Sequence, residues 1–277
     1  MNIFFFGHTS FTAQKLIKEF NLNDNLYFFS RKKKINKFYF FDLNKRNSKL
    51  FNNLKIKKID YLFYFASFVP LDEKNSDWNK CKKINIYGLV NLLRDINIPI
   101  KKFILASSCS VYGSEKNKLF HEDTKLSPEN SYSMSKFIQE KTLQVYCQKN
   151  NIEFLCYRVG YVFGKNMNKK RLVKRIMKNY KMGKKVKLYN LNFNLNLIHV
   201  DDIAYLVIKT YKKAKGIFNL TNPTQTTLGE YYSILTKKRF TKNNKINNFT
   251  SKKIFTEFNY LKKLDLKKKT LNFLNEG

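Results

Sequence analysis

The stretch YLFYFA, Tyr61 to Ala66, carries apolar side chains on consecutive positions. Successive side chains of a strand point to opposite faces, so such a strand is stable only in a sheet covered on both sides. Similar runs recur at Asn2 to Phe6, Leu26 to Phe29, Lys37 to Phe41 and Phe103 to Ala106. Between them stand stretches with helical spacing, from Ser10 to Phe20 through Phe11, Leu16 and Ile17, and around Asn85 to Arg94. Strand and helix alternate. Parallel strands joined by right-handed crossovers follow, which predicts an α/β fold: a doubly wound parallel sheet with helices on both faces.

After Gly164 the rhythm weakens. Lys165 to Lys187 is strongly basic, Leu188 to Leu197 is low in complexity, and a strand-like segment at Gly216 to Thr221 precedes a helix from about Leu228 to Leu235. Residues 1–164 are expected to form a nucleotide-binding domain. Residues 165–277 are expected to form mainly a smaller substrate-binding lobe over the strand ends, where ligands bind in such sheets, with some segments returning to the core. From Lys237 onward the tail is a run of Lys and Asn with intermittent Phe and Leu.

The formal net charge of +34 would by itself suggest nucleic acid or an anionic surface. A nucleic-acid footprint clusters, however, and these lysines are spread through turns, helices and tail alike. Neither nucleic acid nor a membrane is expected as a partner, although anionic substrates are attracted. The cysteines Cys81, Cys109, Cys147 and Cys156 are scattered, without the Cys-x-x-Cys spacing of a zinc site, so no metal is expected. Reduced thiols, the lack of a secretory pattern in MNIFFFGHTS, and no run long enough to cross a bilayer make a cytoplasmic location the expectation.

Directly after the first strand comes GHTSFTA, Gly7 to Ala13. A strand-to-helix turn gathers free backbone N–H groups and the positive end of a helix dipole, which suits a pyrophosphate. Gly7 permits the turn, and the small Ser10 and Ala13 stand where a three-glycine fingerprint has its other glycines. Gly7, Thr9, Ser10 and Phe11 are therefore candidate cofactor contacts; the simpler reading is that Thr9 or Ser10 caps the helix. The second strand ends in Arg31 and lysines instead of a carboxylate for an adenosine ribose. A guanidinium there suits the extra phosphate of NADP, so NADP(H) is favoured over NAD(H).

Tyr132 and Lys136 lie four apart in SYSMSK, on one face of a predicted helix. A free phenol has a pKa of about 10, and a neighbouring ammonium favours phenolate. In a chain with 17 Tyr and 54 Lys+Arg the pair alone decides nothing. Its surroundings do: GHTSFTA, FDL at 41 to 43, FYFAS at 63 to 67, Asn85 to Gly88, SSCSVYG at 107 to 113, HED to SPENSYSMSK at 121 to 136, YRVGYVFG at 157 to 164 and HVDDIA at 199 to 204 follow in order. Over about residues 1 to 236 this series resembles the extended short-chain dehydrogenases/reductases of the NAD-dependent epimerase/dehydratase family, which act on nucleotide sugars.

The resemblance implies a Rossmann-type sheet and a catalytic set of Ser108, Tyr132 and Lys136, in which Lys136 also grips the nicotinamide ribose. It implies cofactor contacts from Asp42 and Leu43 at the adenine, from Ala66 and Ser67 through the backbone, and from Asn85 as support. Ser108, Cys109, Ser110, Tyr132 and Arg158 are expected at the substrate; Tyr157, Arg158 and the segment Lys165 to Arg175 are candidates for its diphosphate. The acidic pair that follows the hydroxyl residue in sugar dehydratases is replaced by Cys109 and Ser110, which disfavours 4,6-dehydration and leaves 4-keto-sugar reduction or epimerisation. Leu195 stands where an arginine often binds phosphate, and Asp201 and Asp202 are read as helix caps. A homodimer through the helices near Asn85 and Tyr132 is implied as well. The alternative is a non-catalytic nucleotide-binding or scaffold protein on the same fold.

Overall fold

The computed structural model describes all residues except 22, 32–36, 116–117, 185–187, 189, 225, 238–247 and 277. The lysines after Arg31 and most of the Lys/Asn-rich tail lie outside the described residues. The strands, in chain order, are β1 (Asn2–Phe6), β2 (Asn25–Ser30), β3 (Phe38–Phe40), β4 (Ile59–Tyr64), β5 (Ile100–Ser108), β6 (Leu119–Phe120), β7 (Glu153–Val159), β8 (Tyr161–Phe163), β9 (Leu197–His199), β10 (Gly216–Leu220) and β11 (Asn248–Phe249). Seven of them form one sheet in the order β10-β7-β5-β4-β1-β2-β3, with every pairing parallel. The strand order reverses direction at β1, between β2 and β4. That reversal opens a crevice at the carboxyl ends of the strands.

Both faces are covered, as the consecutive apolar runs require. Phe5, Phe63, Ile104 and Leu155 pack on one face beneath Ile203 and Leu206 of the helix Val200–Thr210. Phe4, Phe6, Leu62 and Tyr64 pack on the other with Leu89, Leu92 and Leu143. Neighbouring strands stack their rings: Phe5 lies 4.8 Å from Phe63 and Phe6 lies 4.5 Å from Phe29. Offset stacking of this kind adds about 0.5–1.5 kcal/mol per pair beyond the area it buries. A separate core of Phe163, Val173, Ile176, Tyr231, Leu235 and Phe273 holds the second part of the chain together.

Lys102 shows how the fold absorbs positive charge. It is 1% exposed on β5, and its ammonium donates to the carbonyls of Tyr211, Lys212 and Ala214 while pairing with Glu153 at 3.1 Å. It thereby satisfies the carbonyls at the end of the helix Val200–Thr210, a position where a helix dipole favours a cation.

The long helix Ser131–Lys149 starts on a capping box: the Asn130 side chain accepts from Ser133 N–H, and Ser133 Oγ accepts from Asn130 N–H. Its buried stripe is polar through Tyr132, Ser135, Lys136, Gln139 and Glu140 before it turns apolar at Leu143 and Cys147. A helix that buries such groups must satisfy each of them.

Candidate functional site

Ser108 ends β5, and the first turn of the helix Ser131–Lys149 brings Tyr132 over it. The Ser108 hydroxyl, which accepts from Ser110 N–H at 3.2 Å and from Ser110 Oγ at 3.0 Å, favours the charged form of the Tyr132 phenol. One turn further on, Lys136 is 1% exposed. Its ammonium donates to Ser67 Oγ (3.0 Å), Ala106 O (2.7 Å) and Gln139 Oε1 (2.6 Å). The three residues therefore meet at the carboxyl edge of β4 and β5.

Burial pushes the Tyr132 phenol well above its ordinary pKa, the charge of Glu73 adds to the rise, and the Ser108 hydrogen bond opposes it. Burial likewise lowers Lys136 to about 8. The expected lowering of the phenol by the ammonium is thus corrected: burial raises it, the charges that act on it most are those of Glu73 and Arg171, and all three Lys136 donors are taken by other acceptors. Gln139 passes the contact onward, donating from Nε2 to Asn85 O at 2.7 Å. Asn85, fully buried in the π-helical turn Cys81–Tyr87, donates to Ser135 Oγ at 2.8 Å and brackets Phe68, accepting from its N–H at 2.7 Å and donating to its carbonyl at 3.1 Å. It supports the loop after β4 from behind and presents no group to the crevice.

At the opposite end of the crevice, Gly7 has φ +81°, and a Cβ there would lie 2.5 Å from Ala66 N. The turn after β1 and the end of β4 can approach this closely only with glycine. Ser10 caps the helix Phe11–Ile17 by accepting from Ala13 N–H at 3.2 Å, so its hydroxyl is occupied, as the simpler reading held. Thr9 is exposed, with its carbonyl accepting from Gln14 Nε2, while Phe11 packs on the core of the second part. The Asp42 carboxylate accepts from Asn44 N–H at 3.0 Å and so builds a turn. Leu43 packs on the helix Gly88–Asp95, and its carbonyl accepts from Asn91. Arg31 is exposed at the end of β2. Two cavities, of about 190 and 540 Å³, flank the helix Phe11–Ile17 away from Tyr132, so the site is defined by its side chains and not by them.

The sequence profile of the NAD dependent epimerase/dehydratase family matches residues 3–221. The chain belongs to this family. Among curated relatives, the dTDP-D-glucose 4,6-dehydratase of Dictyostelium discoideum is 26% identical over 66% of this chain and 46% of its own length. The UDP-glucose 4-epimerase of Mycoplasma genitalium is 32% identical over 51% of this chain and 43% of its own. Each match spans about half of the relative's length or less. Among solved structures, UDP-glucuronic acid 4-epimerase from Bacillus cereus, in complex with UDP-glucuronic acid and NAD, superposes with TM-score 0.81 at 20% identity, covering 99% of this chain and 98% of that one. UDP-glucose 4-epimerase from Thermotoga maritima superposes with TM-score 0.82 at 17% identity and the same coverage. Identities this low establish a shared fold and no more.

The residues present fit the dinucleotide of this family: an open switch-point crevice, a glycine-only approach beside Ala66, and a buried ammonium at its far end. Other expected contacts are displaced. Cys109 is 2% exposed and turns inward, its thiol donating to Arg158 O. Arg158, expected at the substrate, is 3% exposed: it pairs with Glu140 at 2.8 Å and donates to Tyr112 Oη and the Glu122 carbonyl. On β7 its side chain points into the helix Ser131–Lys149 and is closed off from a phosphate by burial. Tyr157 is likewise buried, sharing a hydrogen bond with Thr210 Oγ1 at 2.7 Å. His199, and neither following aspartate, caps the helix Val200–Thr210, while Asp201 is held by Lys15 and Lys269.

Reading the sequence missed Gln139, Ser76 and Glu73. Nothing in their spacing marks them, because they reach the site through a helix face and a loop. Ser76 Oγ donates to Glu73 O and accepts from Tyr132 N–H, tying that loop to the helix start.

The Arg158 assignment is open to a direct check. Arg158→Leu strands Glu140 without a counter-ion and is expected to lower unfolding free energy by about 3–5 kcal/mol in urea titration. A loss below about 1 kcal/mol, the worth of an exposed pair, would contradict the buried role.

Proposed function

We propose that this chain is a nicotinamide-dependent oxidoreductase acting at C4 of a nucleotide-linked hexose, completing either a 4-keto-sugar reduction or a 4-epimerisation. The observation that carries the reading is the meeting of Ser108, Tyr132 and Lys136 at the carboxyl edge of β4 and β5. The nicotinamide supplies or accepts hydride when bound. The protein's part is placement and proton transfer. Ser108 hydrogen-bonds the reacting oxygen, Tyr132 gives it a proton or takes one, and Lys136 holds a positive charge behind the phenol and reaches the ribose. The raised phenol pKa keeps Tyr132 protonated at rest, which suits the donor role that ketone reduction needs. Arg31 at the end of β2, without a carboxylate beside it in sequence, supports NADP(H) over NAD(H).

Tyr132→Phe is expected to retain nucleotide-induced thermal stabilisation and to lose turnover by about 100-fold or more. Nucleotide-linked hexoses and their 4-keto forms, followed by cofactor absorbance and by sugar analysis, separate the outcomes. Consumption of NADPH marks a reductase, and conversion without consumption marks an epimerase. Unaltered turnover in Tyr132→Phe, or binding with no turnover in the unsubstituted chain, would leave a nucleotide-binding scaffold as the better reading.

The Lys136 ammonium is charged below pH 8 and neutral above it, since burial has brought its pKa to about 8. In the reduction direction kcat/KM is therefore expected to fall as pH rises through about 8. Gln139→Leu removes an acceptor that favours the charged form, so the fall should move to lower pH. A profile identical in both proteins would show that the lysine charge plays no part.

We further propose a homodimer. Tyr87 and Val90 on one helical stretch, and Met134 and Val145 on the helix Ser131–Lys149 packed against it, are 37–53% exposed although large and apolar. Pairing of two copies through these helices would cover them. Light scattering should give about twice the 33.1 kDa chain mass; a monomer at micromolar concentration contradicts it.

A further inference from the structure

The proposed chemistry asks Lys136 to reach a ribose, yet each of its donors is already in use. An ammonium carries three N–H donors. Lys136 gives them to Ser67 Oγ at 3.0 Å, Ala106 O at 2.7 Å and Gln139 Oε1 at 2.6 Å. Holding a ribose hydroxyl therefore requires that one of these acceptors yield.

The three differ in their freedom to do so. Ala106 lies within β5, paired across from Tyr157 of β7, and its carbonyl cannot withdraw without parting the sheet. The Gln139 amide is fully buried and donates from its other end to Asn85 O at 2.7 Å, so turning it away would strand donor and acceptor together in the core. Ser67 is only half-buried, makes the longest of the three bonds and offers a hydroxyl that one side-chain torsion can turn away. Its backbone, by contrast, is fixed on both sides. A Cβ on Gly7 would lie 2.5 Å from Ala66 N, and Asn85 holds the N–H and the carbonyl of Phe68 at 2.7 and 3.1 Å. The hydroxyl can thus leave Lys136 while the loop stays in place.

We propose that Ser67 is a positioning residue acting through Lys136: in the free protein it occupies the donor with which Lys136 holds the nicotinamide ribose, and nucleotide binding exchanges it for a ribose hydroxyl. The proposal rests on the oxidoreductase reading and deepens it. The family resemblance implies only a backbone contact at Ser67, and the structure adds this one from its side chain. One hydroxyl oxygen replaces another at Nζ, so Lys136 keeps three acceptors before and after the exchange, and Ala106 and Gln139 hold the ammonium in register throughout. The consequence is a competition. Lys136 must release Ser67 for any nucleotide that carries the second ribose, and need not for one that lacks it.

Calorimetric titration of the chain and of Ser67→Ala with NADH, NADPH, ADP-ribose and ADP tests the exchange. ADP-ribose carries the second ribose without the nicotinamide, and ADP lacks both. Removing the competing hydroxyl is expected to tighten binding of ADP-ribose, and of whichever dinucleotide the chain prefers, by about 10-fold, the net effect of a hydrogen bond to a charged group, with ADP unchanged. In a Lys136→Met background the same substitution should leave all of these affinities as they are. Equal affinities of the chain and Ser67→Ala for ADP-ribose, a gain shared by ADP, or a gain that persists in the Lys136→Met background overturns the exchange and leaves the oxidoreductase reading standing. Failure of both the chain and Ser67→Ala to bind either dinucleotide overturns the two together.

Discussion

A buried ammonium fixes the geometry of this molecule's working edge. Lys136 is removed from water, and an uncompensated charge there would cost several kcal/mol. Its three donors are met by Ser67 beyond β4, Ala106 on β5 and Gln139 on its own helix. Each acceptor belongs to a different stretch of chain, so satisfying one side chain sets the helix against two strands. Gln139 then reaches the Asn85 carbonyl in the π-helical turn, and Asn85 reaches Phe68. Displacing any member leaves a buried polar group unpaired, which is why these residues hold one arrangement.

That same burial decides the resting state of the phenol. Two influences oppose each other at Tyr132: a hydrogen bond from Ser108 favours phenolate, while desolvation and the negative Glu73 favour the neutral form. Desolvation wins, and the phenol is protonated at rest. Lys136 lies one helical turn away with its donors committed elsewhere. A phenol in such a site holds its proton more tightly than a free one, and a change in local charge as ligands enter is what would shift the balance.

The sheet was legible because a strand with apolar side chains on consecutive positions must be buried on both faces, and few folds provide that. The runs read at Asn2 to Phe6, Leu26 to Phe29 and Tyr61 to Ala66 fall on β1, β2 and β4 within one to two residues. Residues brought together by the crossover were legible only as motif: Ser108 and Tyr132 stand 24 positions apart, and their meeting follows from the ordered series of motifs rather than from any local pattern. What stayed hidden was the inward face of the helix Ser131–Lys149. Its buried stripe is polar, so apolar periodicity gives no signal there, and Gln139 and Glu140 look like solvated residues until the fold encloses them. Arg158 misled for the same reason. The resemblance placed it at the substrate, but the counter-ion that accounts for it sits 18 positions upstream on another element.

An excess of lysine makes the few acids informative. Glu140 neutralises Arg158, Glu153 neutralises Lys102 and Asp201 holds both Lys15 and Lys269. In each case the acid sits where a cation has been drawn partly or wholly out of water, and there a counter-charge is worth most because the effective dielectric is lowest. Exposed lysines need no partner, since water and salt screen them. A chain with a formal charge of +34 thus remains compatible with a packed core, provided its acids stand at the buried positions. Glu73 departs from this rule: it is half-buried yet outside the ion pairs of the described residues, and burial raises the pKa of its carboxyl while the charge of Arg171 opposes the rise.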